Sequence, residues 1–328
     1  VSDTKDRPYI GGQALIEGVM MRSPRGVAIA VRRPDGSIVL KDEKLPSETS
    51  GLRKVPLLRG VMQLGEAFSL GYRALQFSAE QQMTEEEKKS AAGGSSLAGL
   101  ISIVFAMGLF VALPQGLSTG LFSLLGVPVE LGSWQFHALT GCFKLLVVTG
   151  YLALVSLLPD MRRVFQYHGA EHKTIYAWEA GQELTVANVR AQSTLHPRCG
   201  TTFLLTVVIV SVVLGAVLVP IVLPSATGFT GQLTVLAFRL SLLPAIAAVS
   251  YELQRFSARY CTTGPLRVVL YPGFLFQKIT TREPDDAQIE VAIAAMEGAA
   301  TRERENPAEE RLRSFASFDE AHAALAVR

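Results

Sequence analysis

Charge is scarce in this sequence. Only 18% of its 328 residues are Asp, Glu, Lys or Arg, against about 25% in an average soluble domain. The shortage is local. Between Leu97 and Pro159 the charged residues are Glu130 and Lys144, and between Phe203 and Tyr251 there is only Arg239. Such stretches argue against disorder and against a wholly soluble fold. A large charge imbalance is lacking as well. The 31 Lys plus Arg and 29 Asp plus Glu leave +2, which rules out a nucleic-acid binder driven by bulk charge. Cysteine is sparse: Cys142, Cys199 and Cys261, an odd count at irregular spacing, make no disulfide framework. The first 55 residues lack an apolar h-region, so no secretory signal is read there.

What is present is apolar. Residues of that kind make up 49% of the chain, with mean hydropathy +0.29. Four spanning helices are expected: Leu97 to about Leu113, where Pro114 kinks or ends the helix, then about Gln135–Leu158, Phe203–Leu223 and Gln232–Tyr251. Each approaches the ~20 residues that cross about 30 Å of hydrocarbon. The uncharged stretch runs on to Val129, leaving room for an extra helix at the outer surface. Loops 126–134 and 224–231 contain no Lys or Arg, so the positive-inside rule puts both termini in the cytoplasm.

Soluble segments flank these spans. In residues 1–96, Val27–Val31 and Ser37–Lys41 flank Arg33-Pro34-Asp35-Gly36 and read as a β-hairpin. The glycines of Ile10–Arg22 suggest tight turns or close approach, in a loop entering a small sheet. Residues 57–79 read as an amphipathic helix with Leu57, Val61, Leu64, Phe68, Tyr72 and Leu75 on one face. It is expected to lie on the membrane surface or to pack on the soluble part. A polar linker with Glu85–Lys89 and Gly93–Ser96 follows. The membrane region is 97–252, with a cytoplasmic insertion at 159–202. Residues 253–300 form an interfacial segment around Leu266–Phe276 and then a helix from Pro284. Residues 301–328 are expected to be a mobile tail. The expected architecture is an α-helical polytopic membrane protein with a small α/β cytoplasmic part.

The most informative stretch is Tyr167–Lys173. His168 and His172, at i and i+4, share a helix face and can grip one metal ion. Glu171 lies beside that face. The order H-x-x-E-H is that of inverzincins, where the two His hold zinc and the Glu is general base towards a water. A catalytic zinc takes a third protein ligand. His196 is the best third ligand by sequence and Cys199 the next, with Glu252 a further candidate; Pro197 and Gly200 suit a rigid turn around His196. All could meet in one layer at the cytoplasmic boundary. Against this stands the plainer reading of helix-face histidines that only make hydrogen bonds. Lys144 and Arg239 lie inside spans at similar depth with no acidic residue in any span. They are candidates for an anionic lipid headgroup or a substrate carboxylate, or simply snorkel.

These motifs resemble a bacterial family of membrane proteins, the YqhQ family, regarded as predicted metal-dependent enzymes. The matching stretches are Gly11–Arg22, Phe165–Thr174, His196–Thr201 and Thr280–Asp286, within about residues 8–300. The resemblance implies a cytoplasmic-membrane protein with a metal site at His168, Glu171, His172 and His196, and no particular substrate. The first functional expectation is a membrane-embedded, metal-dependent hydrolase with zinc or another divalent metal and Glu171 as base. The second is a non-enzymatic scaffold for a membrane-protein partner. The third is an anionic-lipid-handling or transport protein using Lys144 and Arg239.

Overall fold

The computed structural model describes residues 7–45, 55, 57–84, 86–88, 95–128, 130–261, 265–305, 307 and 309–326. The expected Gly93–Gly94 linker lies outside them. The protein is mostly helical, with one antiparallel sheet of five strands in the order β1-β2-β3-β4-β5. These are β1 Gly11–Leu15, β2 Gly18–Arg22, β3 Gly26–Arg32, β4 Ile38–Lys44 and β5 Arg311–Phe315.

The hairpin expected around Arg33–Gly36 joins β3 to β4, with Arg32 opposite Ile38. Gly36 takes φ +87°, and Asp35 Oδ1 accepts from Ser37 N at 2.9 Å. The Gly-rich segment before it is a second hairpin rather than an entering loop, with Leu15 opposite Gly18. Period-two alternation sends β3 side chains to two cores. Ala28 and Ala30 join Ile289, Ile293 and Met296 on one face. Val27, Ile29 and Val31 join Leu70 and Ala74 on the other. The sheet is thus covered on one face by α1, Leu58–Gln82, and on the other by α11, Asp286–Glu305.

The described residues of the 301–328 segment, which is expected to be mobile, complete this unit. Strand β5 pairs with β4, Ile38 facing Phe315, and α12, Phe318–Leu325, packs on α11. Asp42 accepts from Arg302 and Arg313, both at 2.9 Å, with the Asp42 and Arg302 side chains 2% and 1% exposed. Arg302 and Arg313 thus tie this segment to β4.

Helix α1 also differs from its sequence reading. It packs through Gly60, Leu70, Gly71, Ala74 and Ser78. A Cβ at Gly60 would stand 3.0 Å from Tyr251 Cβ, so the absence of a side chain sets that approach. The apolar stripe from Leu57 to Leu75 faces outward, with Phe68 76% exposed.

Among the described residues, three helices are long and apolar enough to cross a membrane, or four if a bent pair counts as one. The first is Gly99–Leu124, built from α2 Ser95–Met107, a π-helical turn Gly108–Ala112 and α3 Leu113–Leu124. Pro114 neither ends it nor starts a separate surface helix. The wide turn before it, with Leu113 N bonded to Gly108 O, accommodates the ring. The others are α4 Trp134–Val155 and α7 Gly200–Val222. The bent pair is α8 Gly228–Ser241 and α9 Leu243–Tyr260, meeting at 47° just before Pro244. Between α4 and α7 lie α5 Pro159–Glu179 and α6 Val186–Arg190. After α9, the 3₁₀ segment Pro265–Leu270 leads into α10 Tyr271–Thr280, which rests on α7.

Candidate metal centre

Helix α5 starts with Pro159 and carries Asp160 in its first turn, both suited to a helix N-terminus. It lies between β1 and α11. Glu17, at the tip of the β1–β2 hairpin, receives Arg163 Nε at 2.5 Å and the Tyr167 hydroxyl at 3.2 Å, which fastens the hairpin to the helix. At Gly169 a Cβ would fall 2.0 Å from the Arg282 carbonyl, so only glycine admits the strand-like segment before α11.

The next turns of α5 present His168, Glu171 and His172. Cys199 caps α7, its Sγ accepting from Thr201 N at 3.4 Å. One ligand atom each from His168, His172 and Cys199 lies within 4.8 Å of the other two. His168 Nε2 is 3.2 Å from Cys199 Sγ. Both ring orientations are set from behind. His168 Nδ1 donates to the Thr280 carbonyl at 2.8 Å, and His172 Nδ1 donates to the Thr194 carbonyl. A carbonyl only accepts, so each Nδ1 carries the proton and each Nε2 keeps a lone pair. That of His172 is buried without a hydrogen-bond partner. Burial also lowers the His172 pKa and keeps the ring neutral.

This donor set fits a soft divalent cation. Two neutral imidazoles and one thiol are zinc ligands, and their outer nitrogens are tied to carbonyls as metal-binding histidines usually are.

His196 sits beside this trio rather than in it. Its ring centroid is 5.6 Å from that of His172. Its Nδ1 accepts from Arg198 N at 3.3 Å, and its Nε2 is 3.7 Å from a Glu179 carboxylate oxygen. Burial lowers its pKa to about 4. The reason Cys199 stands closer is the turn Pro197–Cys199, which hands the cysteine to the start of α7. Glu252 is not brought to the cluster. Arg59 on α1 takes both of its carboxylate oxygens, Nε at 2.7 Å from Oε1. This ion pair joins α1 to α9 and occupies the carboxylate away from the cluster.

Glu171 is 5% exposed, and burial raises its pKa. It lies flat on β1: a Cβ at Gly12 would be 2.7 Å from Glu171 Cγ and 2.8 Å from Oε1. Glu171, His172, His196 and Cys199 line one cleft of about 360 Å³, closed on the other side by Gln63 and Tyr251. Two residues passed over in the sequence hold the site. Gln277, fully buried, accepts from His196 N and donates to its carbonyl, both at 2.8 Å. Lys173 donates to the carbonyls of Arg190 and Gln192 at 2.9 and 2.7 Å, fixing the connection ahead of Thr194. A lysine beside H-x-x-E-H and a glutamine in an apolar run carry no signal of these distant partners.

The assembly is a helical protein with a sheet-bearing unit and a His/His/Cys cluster at their junction. Residues 55–302 match the family described as protein of unknown function (DUF1385). Over 313 residues the chain is 35% identical to the uncharacterized protein YqhQ of Bacillus subtilis (strain 168), covering 89% of this chain and 92% of that protein. The chain belongs to this YqhQ family. No solved structure matches it.

Proposed function

We propose that the chain is a multi-pass protein of the bacterial cytoplasmic membrane and that its cytoplasmic side carries a metal-dependent hydrolase. The membrane reading is supported by side chains that water would not favour. Ile101, Val104 and Phe105 on α2, Leu146 and Leu154 on α4, and Ile221 on α7 are all exposed. The β4–β5 pairing puts residues near both ends of the chain in one sheet, hence on one side, which requires an even number of crossings. Four crossings, with the bent pair α8–α9 as the last, satisfy this. The scarcity of Lys and Arg in the two opposite loops makes the sheet side cytoplasmic.

The hydrolase reading is carried by one observation: the Nδ1 protons of both His168 and His172 are spent on carbonyls, which leaves the Nε2 atoms of both facing Cys199 rather than the backbone. His168, His172 and Cys199 would hold the metal, zinc by the softness of the donors. Such an ion supplies Lewis acidity and makes water a nucleophile at neutral pH. Glu171 does the proton work. Its buried carboxylate takes a proton from water entering the cleft and returns it to the leaving group, so that water is added across the cleaved bond. His196, neutral and with its proton on Nε2, is placed to steady negative charge developing on the substrate. The cleft opens beside Leu64 of the outward apolar stripe of α1. This favours a lipid-linked or membrane-protein substrate presented at the cytoplasmic surface.

A second reading uses the same thiol without metal. Cys199 caps a helix and lies 3.2 Å from an unprotonated imidazole nitrogen, the setting of a nucleophilic cysteine. Elemental analysis of the purified full-length protein separates the two. One metal per chain, lost in His172→Ala and retained in Glu171→Gln, supports the hydrolase. A metal-free protein whose Cys199 alone reacts with iodoacetamide supports the thiol reading.

A further inference from the structure

Lys144 and Arg239 are far apart in sequence, yet they line the same cavity between α4, α7 and the α8–α9 bend, together with His137, Ser211 and Gly215. Every hydrogen-bond partner recorded for the two cations is neutral. Lys144 Nζ donates to Ser211 Oγ at 2.9 Å, and the Ser211 hydroxyl donates in turn to the Val208 carbonyl at 2.7 Å. Arg239 Nη1 donates to Gln115 Oε1 at 3.1 Å and Nη2 to His137 Nδ1 at 3.0 Å. Gln115 is held in that pose by its own amide, which donates to Gln232 Oε1 at 2.7 Å. The chain offers no acid here. Residues 99–124, 134–155, 200–222 and 228–251 contain no Asp or Glu. Two like charges thus face one small space in a low-dielectric surrounding, where each raises the cost of the other.

We propose that this cavity is a binding site for a small anion of halide size, which supplies the counter-charge that the helices leave out. The cavity measures about 30 Å³, room for a small anion among the residues that line it. Lys144 has two further N–H donors beyond the one on Ser211. An anion seated between Lys144 and Arg239 joins α4 to α8 and, through Ser211, to α7. This site is separate from the His168–Cys199 cluster, and its chemistry does not depend on the hydrolase reading.

The test is thermal unfolding of the full-length protein in neutral detergent, titrated with sodium chloride or bromide against sodium gluconate at constant ionic strength. Both halides are expected to raise the midpoint by several degrees, saturably. Gluconate, too large for the cavity, is expected to have no effect. Lys144→Met and Arg239→Gln are expected to lose the halide response. Should either fail to fold, Ser211→Ala removes only the anchor of the lysine and is expected to weaken the apparent halide affinity about tenfold. Bromide anomalous scattering from wild-type crystals is expected to give a peak between Lys144 and Arg239. Equal midpoints in chloride and gluconate without a bromide peak would overturn the proposal, as would an unchanged response in Lys144→Met. Stabilisation by phosphatidylglycerol in halide-free detergent, with none from halide, would assign these cations to a lipid phosphate and overturn it as well.

Discussion

Asp42 in the sheet and Arg239 in the apolar helices are both charges removed from bulk water, but their surroundings differ. Asp42 lies between Arg302 and Arg313, one charge answered by two. Arg239 meets an amide oxygen and an imidazole nitrogen. Glu297 of the sheet-bearing unit stands 2.8 Å from His322 Nδ1, while the Nε2 of His172 is buried without a hydrogen-bond partner. Polar groups that are answered within the chain hold the sheet-bearing unit together. Polar groups left over mark the places where something from outside is expected: the lone pair of His172 Nε2 beside His168 and Cys199, and spare donors at Lys144 and Arg239. The first set suits a cation and the second an anion.

The contrast breaks most sharply at Glu171. Glu171→Gln keeps the shape but cannot take a proton at neutral pH. It is expected to lower function about 10²–10⁴-fold with metal content unchanged, read by complementation in cells and by elemental analysis. Full function in this variant would reduce the cluster to a structural role and move the scaffold reading ahead. The answered charges should fail differently. Asp42→Ala strands Arg302 in the core and is expected to cost about 3–5 kcal/mol of stability, read by denaturant unfolding. Adding Arg302→Leu should restore part of that loss, since the stranded charge is then gone.

A smaller effect sharpens the ligand set. Cys199→Ser is expected to weaken metal affinity by about 10–100-fold or more, and His196→Ala to leave it within a few fold, both read by competition with a chelator. The reverse order would return His196 to the third position. Gly12→Ala puts a methyl where Glu171 lies. A stability loss of about 1–3 kcal/mol is expected from overpacking, with activity falling further than stability if Glu171 is displaced.

The mildest expectation concerns pH. Burial pushes Glu297 up to about 7 in the folded protein, from an ordinary value of 4.5. The folded state therefore holds this proton where the unfolded chain has released it. Stability from this group is complete below about pH 4.5 and is lost as pH rises through about 7. Unfolding midpoints of wild type should fall over that window relative to Glu297→Gln, which has no proton to lose. Parallel curves would show that the carboxyl is already ionised against His322.

Parts of this arrangement were legible in the residues. The β3–β4 hairpin announced itself by alternation around Pro34-Asp35-Gly36, because the strand period and the turn are both local. His168 and His172 were legible for the same reason, since i and i+4 share a helix face whatever else the chain does. The third member was not. Choosing Cys199 over His196 depends on how Pro197 and Gln277 orient a short turn, which no spacing rule encodes. Gly12 looked like loop punctuation until Glu171 was seen to lie against it. The apolar stripe of α1 is visible as a face in the sequence, but its direction is set by Gly60 and Gly71, whose missing side chains let Tyr251 and Gln13 approach closely.

By itself the sequence determined much of what depends on neighbours along the chain: the long apolar helices, the charge asymmetry of their connections, the β3–β4 hairpin and the paired histidines. The tertiary structure alone decided what meets across long separations. It returned residues 311–315 to the sheet, tied Glu252 to Arg59, set Cys199 before two imidazoles, and put Lys144 and Arg239 around one cavity. Periodicity and composition record the local energies of helix, strand and transfer from water. Contacts between residues a hundred positions apart depend instead on how whole elements fit together, and that fit is set by shape and by which polar groups can still be answered.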